Sequence, residues 1–350
     1  MKLSLKSWVM FVAASACAVT GHAADADRTF AAAASDYLVQ DVCLDAAGKV
    51  LKDVSPISGG ERCARHRDLQ TGEPLSYLRA DWPNDASRAT QPSGLQRSNS
   101  FPVRFGDRTM IASDFDFGTP PRKFGQFGPG DGGQLVALTQ ERASVVLTED
   151  GKGLKYFYGP SCAPSPELRS LDDSWLLFDQ SVFEKGSGSA VAHLRQSLDG
   201  ASCPAHLDAA YTRWAIKAIP FRRDLDHNLT EALRTIVTDH FSGPKDDAGS
   251  VERMYFTREL GWTRWERWQN VSRANDKTPV YRDRAQRVAQ SGRCDVRDGP
   301  PSGHGEWIMV DCREWTNVQP AAADAGAPED FWIGRLSRGA SAAPMLRALR

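Results

Sequence analysis

Apolar and polar positions alternate with a period of two through much of the chain beyond residue 100, and that period predicts strands. Over 211–219, Thr212, Trp214, Ile216 and Ala218 fall on one face and Tyr211, Arg213, Ala215, Lys217 and Ile219 on the other. Residues 143–148 and 154–158 are two further runs, separated by Glu149-Asp150-Gly151-Lys152-Gly153, a strand-turn-strand arrangement that predicts a hairpin. Segments 109–117, 175–178 and 306–318 add strand candidates. Helical spacing is clearest in one place. Asn228 is a good N-cap, Glu231 stands at capping-box distance, and Leu229, Leu233, Ile236, Val237 and Phe241 form a stripe that Gly243-Pro244 terminates. The pattern predicts a mainly β fold, an antiparallel sandwich or jelly-roll-like arrangement with one amphipathic helix over about 229–241 packed on a sheet.

The most distinctive segment is 251–270, VERMYFTRELGWTRWERWQN. With Arg258-Glu259-Leu260-Gly261 as its turn, a hairpin register sets Glu252 across from Arg267, Met254 from Trp265 and Phe256 from Thr263 on one face. The other face sets Val251 across from Trp268, Arg253 from Glu266 and Tyr255 from Arg264. Two opposite-charge pairs and two aliphatic-on-tryptophan pairs support one register, each contributing about 0.2–1 kcal/mol. Alternation puts Tyr255, Trp262, Arg264, Glu266 and Trp268 together. Flat rings beside charged hydrogen-bonding groups suit a sugar, so Tyr255, Trp262, Arg264 and Trp268 are the substrate-binding candidates. The competing reading makes the same rings sheet core, the commoner fate of aromatic residues in strands.

The carboxylate candidates for acid and base are Glu266 and the pair Asp114 and Asp116, which share one side of a strand. The bland alternative is that the aspartates are solvated strand-end groups. His240 reads as a helix-terminal residue, and Cys63-Ala64-Arg65-His66 lacks the second pair that a metal site needs. No H-E-x-x-H, G-x-S-x-G or phosphate-loop motif occurs, and Gly128-Pro129-Gly130-Asp131-Gly132-Gly133 lacks the lysine of a phosphate loop. The sequence therefore predicts neither a cofactor nor a metal.

Composition narrows the function classes. Forty-three basic residues against 44 acidic ones give a net charge of −1, which offers no general attraction to nucleic acid. Lys2 and Lys6, an apolar run over 8–19 and Gly21-His22-Ala23 have the layout of an export signal, and the run is too short to span a bilayer. Cleavage after Ala23 is expected. Ala14-Ser15-Ala16-Cys17 supplies the alternative, a lipid anchor at Cys17. Export to an oxidising compartment, periplasmic or secreted, would let Cys43, Cys63, Cys162, Cys203, Cys294 and Cys312 pair. A hairpin around 299–305 would bring Cys294 to Cys312. Nearest-neighbour preference alone pairs Cys43 with Cys63 and Cys162 with Cys203.

The chain after residue 23 divides by polarity into a polar region or small subdomain over 24–100 and a main β-rich domain over 101–350, with one domain over 24–350 as the alternative. The functional expectation is an exported protein that binds or processes a glycan through the aromatic, Arg- and Glu-bearing hairpin face. The alternative is a structural or assembly protein of the cell envelope with no catalytic site.

Overall fold

The structure is a computed structural model. It describes residues 28–51, 54, 60–68, 75–76, 78–79, 97–105, 108–116, 132–150, 153–158, 174–198, 205–222, 230–273, 276–291, 299–314 and 317–318. The export signal, Cys17 and the 294–298 arm of the Cys294 hairpin lie outside these residues.

Helix α1 (Phe30–Leu38) starts where Thr29 accepts the Ala32 amide at 3.4 Å, and it buries Phe30, Ala33, Ala34, Tyr37 and Leu38. That is a helical stripe at i, i+3, i+4, i+7 and i+8. The chain then turns extended at Val39 and builds a small antiparallel sheet, with β1 (Asp41–Leu44) between β2 (Val50–Leu51) and β3 (Arg65–Asp68). Cys43 on β1 is disulfide-bonded to Cys63, which ends the 3-10 turn Gly60–Cys63, so this part of the cysteine reading holds. Short strands β4 (Leu75–Ser76) and β5 (Leu78–Arg79) follow.

The large sheet is an antiparallel meander. Its strands are β6 (Arg97–Phe105), β7 (Arg108–Asp116), β8 (Gly132–Leu138), β9 (Arg142–Asp150), β10 (Gly153–Tyr158), β11 (Trp175–Asp179), β12 (Ser187–Leu198) and β13 (Ala205–Arg222). It continues through β14 (Thr230–Phe241), β15 (Ser250–Thr257), β16 (Gly261–Asn270) and β17 (Trp307–Glu314). Each strand pairs with the next, except that β10 pairs directly with β12 while β11 pairs with the first half of β9, and β5 adds to β13. A short helix α2 (Ser181–Glu184) joins β11 to β12, α3 (Thr278–Ser291) joins β16 to β17, and β18 (Asn317–Val318) pairs with β4. The fold is mainly β, antiparallel and sandwich-like, with a helix packed on the sheet, as the periodicity predicts.

The packed helix is α1, however, and 230–241 is strand β14. The helix expected over about 229–241 is overturned because every residue from Thr235 to Phe241 is buried, on both faces of a strand inside the sheet. A run buried on both sides loses the alternation that identifies a strand, and its apolar positions then match helical spacing as well. The β-branched Thr235, Ile236, Val237 and Thr238 decide in favour of the sheet.

The meander curls until β6 approaches the start of β16. Gln40, just after α1, fills the seam: its amide donates to the Ser100 carbonyl at 3.1 Å, and it forms an antiparallel bridge with Leu260. Gly261 sits at φ 69° here, and a Cβ on it would stand 3.1 Å from the Ser100 side chain. Inside the curl, α1, β11 and Val182 fill a core with Ile111, Val136, Phe157, Trp214, Ile236, Phe256 and Trp262. The outer face of β13 to β16 is covered at two ends. The small sheet lays Val42 and Leu44 over Ile219, Phe221, Leu233 and Tyr255, while Trp268, Phe241, Trp307 and Met309 pack together at the other end with Val288 of α3.

Candidate functional site

The β15–β16 hairpin forms in the predicted register for five of its six central pairs, including Arg253 with Glu266 and Tyr255 with Arg264. A bulge after Tyr255 leaves Thr263 as the extra residue, so Phe256 faces Trp262 and not Thr263. The bulge rotates Trp262 into the inner core with Phe256, 6.2 Å between ring centroids, whereas Trp268 stays on the outer face. The two tryptophans therefore do not share a face.

The remaining residues of the predicted site do converge, and they converge on one another. Glu266 is 1% exposed and its Oε1 accepts Arg264 Nε at 2.6 Å and Nη2 at 2.5 Å and the Tyr255 hydroxyl at 3.0 Å. Its Oε2 accepts Trp268 Nε1 at 2.8 Å and lies 3.6 Å from Arg253 Nη1. Arg253 in turn donates through Nε to Asp239 at 2.5 Å, and Arg213 donates to the same carboxylate through Nε at 2.7 Å and through Nη2. The result is a ladder across four strands, Arg213–Asp239–Arg253–Glu266–Arg264. Each guanidinium lies over a ring: Arg213 over Phe241 at 5.8 Å, Arg253 over Trp268 at 5.8 Å and Arg264 over Tyr255 at 5.4 Å.

The expected sugar-facing surface is thus closed. Tyr255, Arg264, Glu266 and Trp268 are each 1–2% exposed, and Trp262 is 4% exposed, so none presents a ring to solvent. The ring faces of Tyr255 and Trp268 are met by the ladder's own guanidiniums, and Trp262 packs on Phe256. Glu266 is likewise out of reach as an acid or base, since both of its oxygens are occupied by donors from the sheet. Asp114 and Asp116 fall on β7 opposite Asn99 and Arg97, and their side chains lie outside what the structure describes. Cys312 is disulfide-bonded; Cys162, Cys203 and Cys294 lie outside the described residues.

Charge along the ladder follows from its pairing. Burial alone would raise the Asp239 carboxyl, but Arg253 and then Arg213 overcome it and hold the group below the usual carboxylate range. Arg253 is stabilised as a cation by Asp239 against the same desolvation. On the opposite face of β14, His240 is pushed down to about 3 by burial, which Asp239 only partly offsets, and the neutral ring is held by the Thr238 hydroxyl at 2.7 Å.

Between the two covered ends of the outer face a stretch of sheet stays open. It forms a pocket of about 490 Å³ over β12 to β15, lined by Ser187, Ser189, Tyr211, Arg213, Lys217 and Asp239 among others. Ser187 and Ser189 are exposed, and at the edge Val191, 59% exposed, pairs across strands with Tyr211. Arg213 forms the inner wall, joined through Nη1 to Ser302 in the loop after α3, while Gly299 of that loop accepts Arg253 Nη1 at 2.8 Å. No family model, curated protein or solved structure matches this chain.

The sequence already places Tyr211, Arg213 and Lys217 on one strand face. What it hid was Asp239, because reading 229–241 as a helix removed the strand that sets Asp239 opposite Arg213. A second pocket, about 300 Å³, gathers Glu141, Asp179 and Glu184, but Asp179 caps the Ser181 amide at 2.8 Å and Glu184 accepts Gln180. Among the described residues no group of three His, Cys, Asp or Glu side chains is arranged to hold a metal ion.

Proposed function

We propose that the protein is an exported glycan-binding protein whose site is the open pocket over β12 to β15, with the buried ladder of the hairpin as its scaffold. The observation that carries the reading is the pocket's lining. Half-buried Tyr211 lines the pocket, with the exposed Val191 beside it on the neighbouring strand, together with hydroxyls at Ser187 and Ser189 and hydrogen-bonding cations at Arg213 and Lys217. A sugar ring has an apolar face and a polar rim and needs both kinds of surface. The volume falls within the range of about 300–1,000 Å³ usual for small-ligand sites. The disulfide at Cys43–Cys63 supports an oxidising compartment, where envelope glycans are met.

Binding is favoured over catalysis because Asp239, the one carboxylate among the pocket's described lining residues, is held ionised by Arg253 and Arg213, which occupy both of its oxygens. Titration calorimetry of the protein freed of residues 1–23 against a panel of neutral and acidic oligosaccharides tests the reading. At least one should bind, and Tyr211→Ala should weaken that binding while leaving the fold intact. A panel with no binder, or binding untouched by Tyr211→Ala, sinks the proposal.

A further inference from the structure

Strand β12 is paired along its whole length on one side and only at its end on the other. Towards β13 it pairs from Ser187, opposite Ala215, to Gln196, opposite Ala205. Towards β10 it pairs only from Arg195 to Leu198. β11 follows β10 along β9, but its pairing is with β9, and it carries Leu176, Leu177 and Phe178 into the core. Among the described residues no strand therefore lies along the other side of 187–194, which is room for a strand of ordinary length.

The β12–β13 ladder fixes which backbone groups are left over. Ile216 donates its amide to the Gly186 carbonyl at 2.8 Å, so residue 186 turns its backbone groups to β13. Successive residues of an antiparallel strand turn theirs to alternate sides, which directs Ser187, Ser189 and Val191 to the open edge. The side chains of the same three residues are exposed, and Val191, at 59%, is more exposed than any other large apolar residue among those described.

An open edge is normally blunted by charge or proline. The strands that end the two larger sheets follow that rule: β3 carries Arg65, Arg67 and Asp68, and β17 carries Asp311, Arg313 and Glu314. Residues 187–193, Ser-Gly-Ser-Ala-Val-Ala-His, contain no lysine, arginine, aspartate, glutamate or proline. The difference bears on self-pairing. About a two-fold axis each residue meets its own kind or a near neighbour, so a charged strand would set like charges opposite one another. The neutral stretch escapes that repulsion.

We infer that this edge docks a second copy of the chain, β12 against β12, antiparallel about a two-fold axis at Ala190. Ser189 then exchanges backbone hydrogen bonds with Val191 of the partner subunit, and the reverse. The axis stands normal to the sheet, so the outer faces of both copies, each with its pocket over β12 to β15, look the same way and offer two sites to one surface. The inference does not depend on which ligand the pocket takes.

Sedimentation velocity of the purified protein from about 1 to 100 μM tests it, and the mass should rise to that of a dimer across this range. Val191→Pro removes an amide that β13 does not use, and it should leave a folded monomer. Val191→Lys and Ser189→Asp should each weaken the dimer several-fold, whereas the double variant, which sets opposite charges across the axis, should recover most of the loss. Should Val191→Pro fail to fold, the charge variants, both at exposed positions, carry the test. A monomer throughout the range would overturn the inference and leave the edge to a strand of a different protein. A dimer indifferent to Val191→Pro, or one that the double variant fails to restore, would put the contact elsewhere and overturn it as well.

Discussion

Asp239 and His240 are neighbours on β14, both buried and both titratable, yet the sheet holds the first charged and the second neutral. Asp239 points outward, where Arg253 and Arg213 meet it with hydrogen bonds and opposite charge. His240 points inward, where Trp175 stands edge-on at 5.3 Å and threonine hydroxyls supply the polar contacts. The same division runs along β16. Trp262 and Trp268 are both nearly enclosed, but Trp262 packs on Phe256 in an apolar core while Trp268 donates to Glu266 and lies beneath Arg253. The inner face is held by shape and apolar area, whereas the outer face sets a ladder of buried, paired charges between its two apolar ends.

Truncating a buried, paired charge should therefore produce a large loss. Glu266→Ala leaves Arg264, the Tyr255 hydroxyl and Trp268 Nε1 without their buried acceptor, and the expected cost is about 3–5 kcal/mol, read from urea denaturation. Arg213→Met, at the half-exposed end, should cost distinctly less. Similar losses for the two variants would show that the ladder does not act as a buried network closed at Glu266.

On the apolar face, Trp262→Ala should cost about 3–5 kcal/mol through lost area and the cavity left behind, and Trp262→Phe should recover part of it. The contrast with the ladder lies in ionic strength: Trp262→Ala should lose the same amount in low and high salt. An exposed, ligand-stacking Trp262 would give a nearly unchanged thermal midpoint instead, the result expected if the hairpin face were open.

Most of the hairpin was legible before any coordinates, because charge complementarity across 251–270 admits one good register, and Arg253–Glu266 and Tyr255–Arg264 meet as it requires. The mainly β class was legible for a similar reason, since 211–219 alternates cleanly on a strand with one half-exposed face. Three things were not. The bulge at Thr263 has no signature in composition, and it alone separates Trp262 from Trp268. The strand at 230–241 is buried on both sides, so its period carries no information. Burial of the charged face was illegible because Arg264 and Glu266 read as solvent-facing groups until the strands that supply their partners are in place. The open pocket lies one strand pair away, on a face whose residues Tyr211, Arg213 and Lys217 were visible in the sequence but whose carboxylate, Asp239, was not.

The smallest of the three stability effects tests the inward half of the comparison. In the folded chain His240 resists protonation down to a pH of about 3, while an unfolded histidine takes up its proton near 6.5. Between these values the unfolded state binds the extra proton, so this residue's contribution is complete above pH 6.5 and is lost as pH falls below it. One proton corresponds to a slope of about 1.4 kcal/mol per pH unit, hence about 2 kcal/mol between pH 6.5 and 5, before most carboxylates titrate. His240→Gln keeps a hydrogen-bonding side chain beside Thr238 and cannot titrate. Urea denaturation across that pH range should show a fall in the parent that is flatter by about this slope in the variant. Parallel curves would mean that His240 accepts its proton in the fold, and that the inner face admits charge as the outer one does.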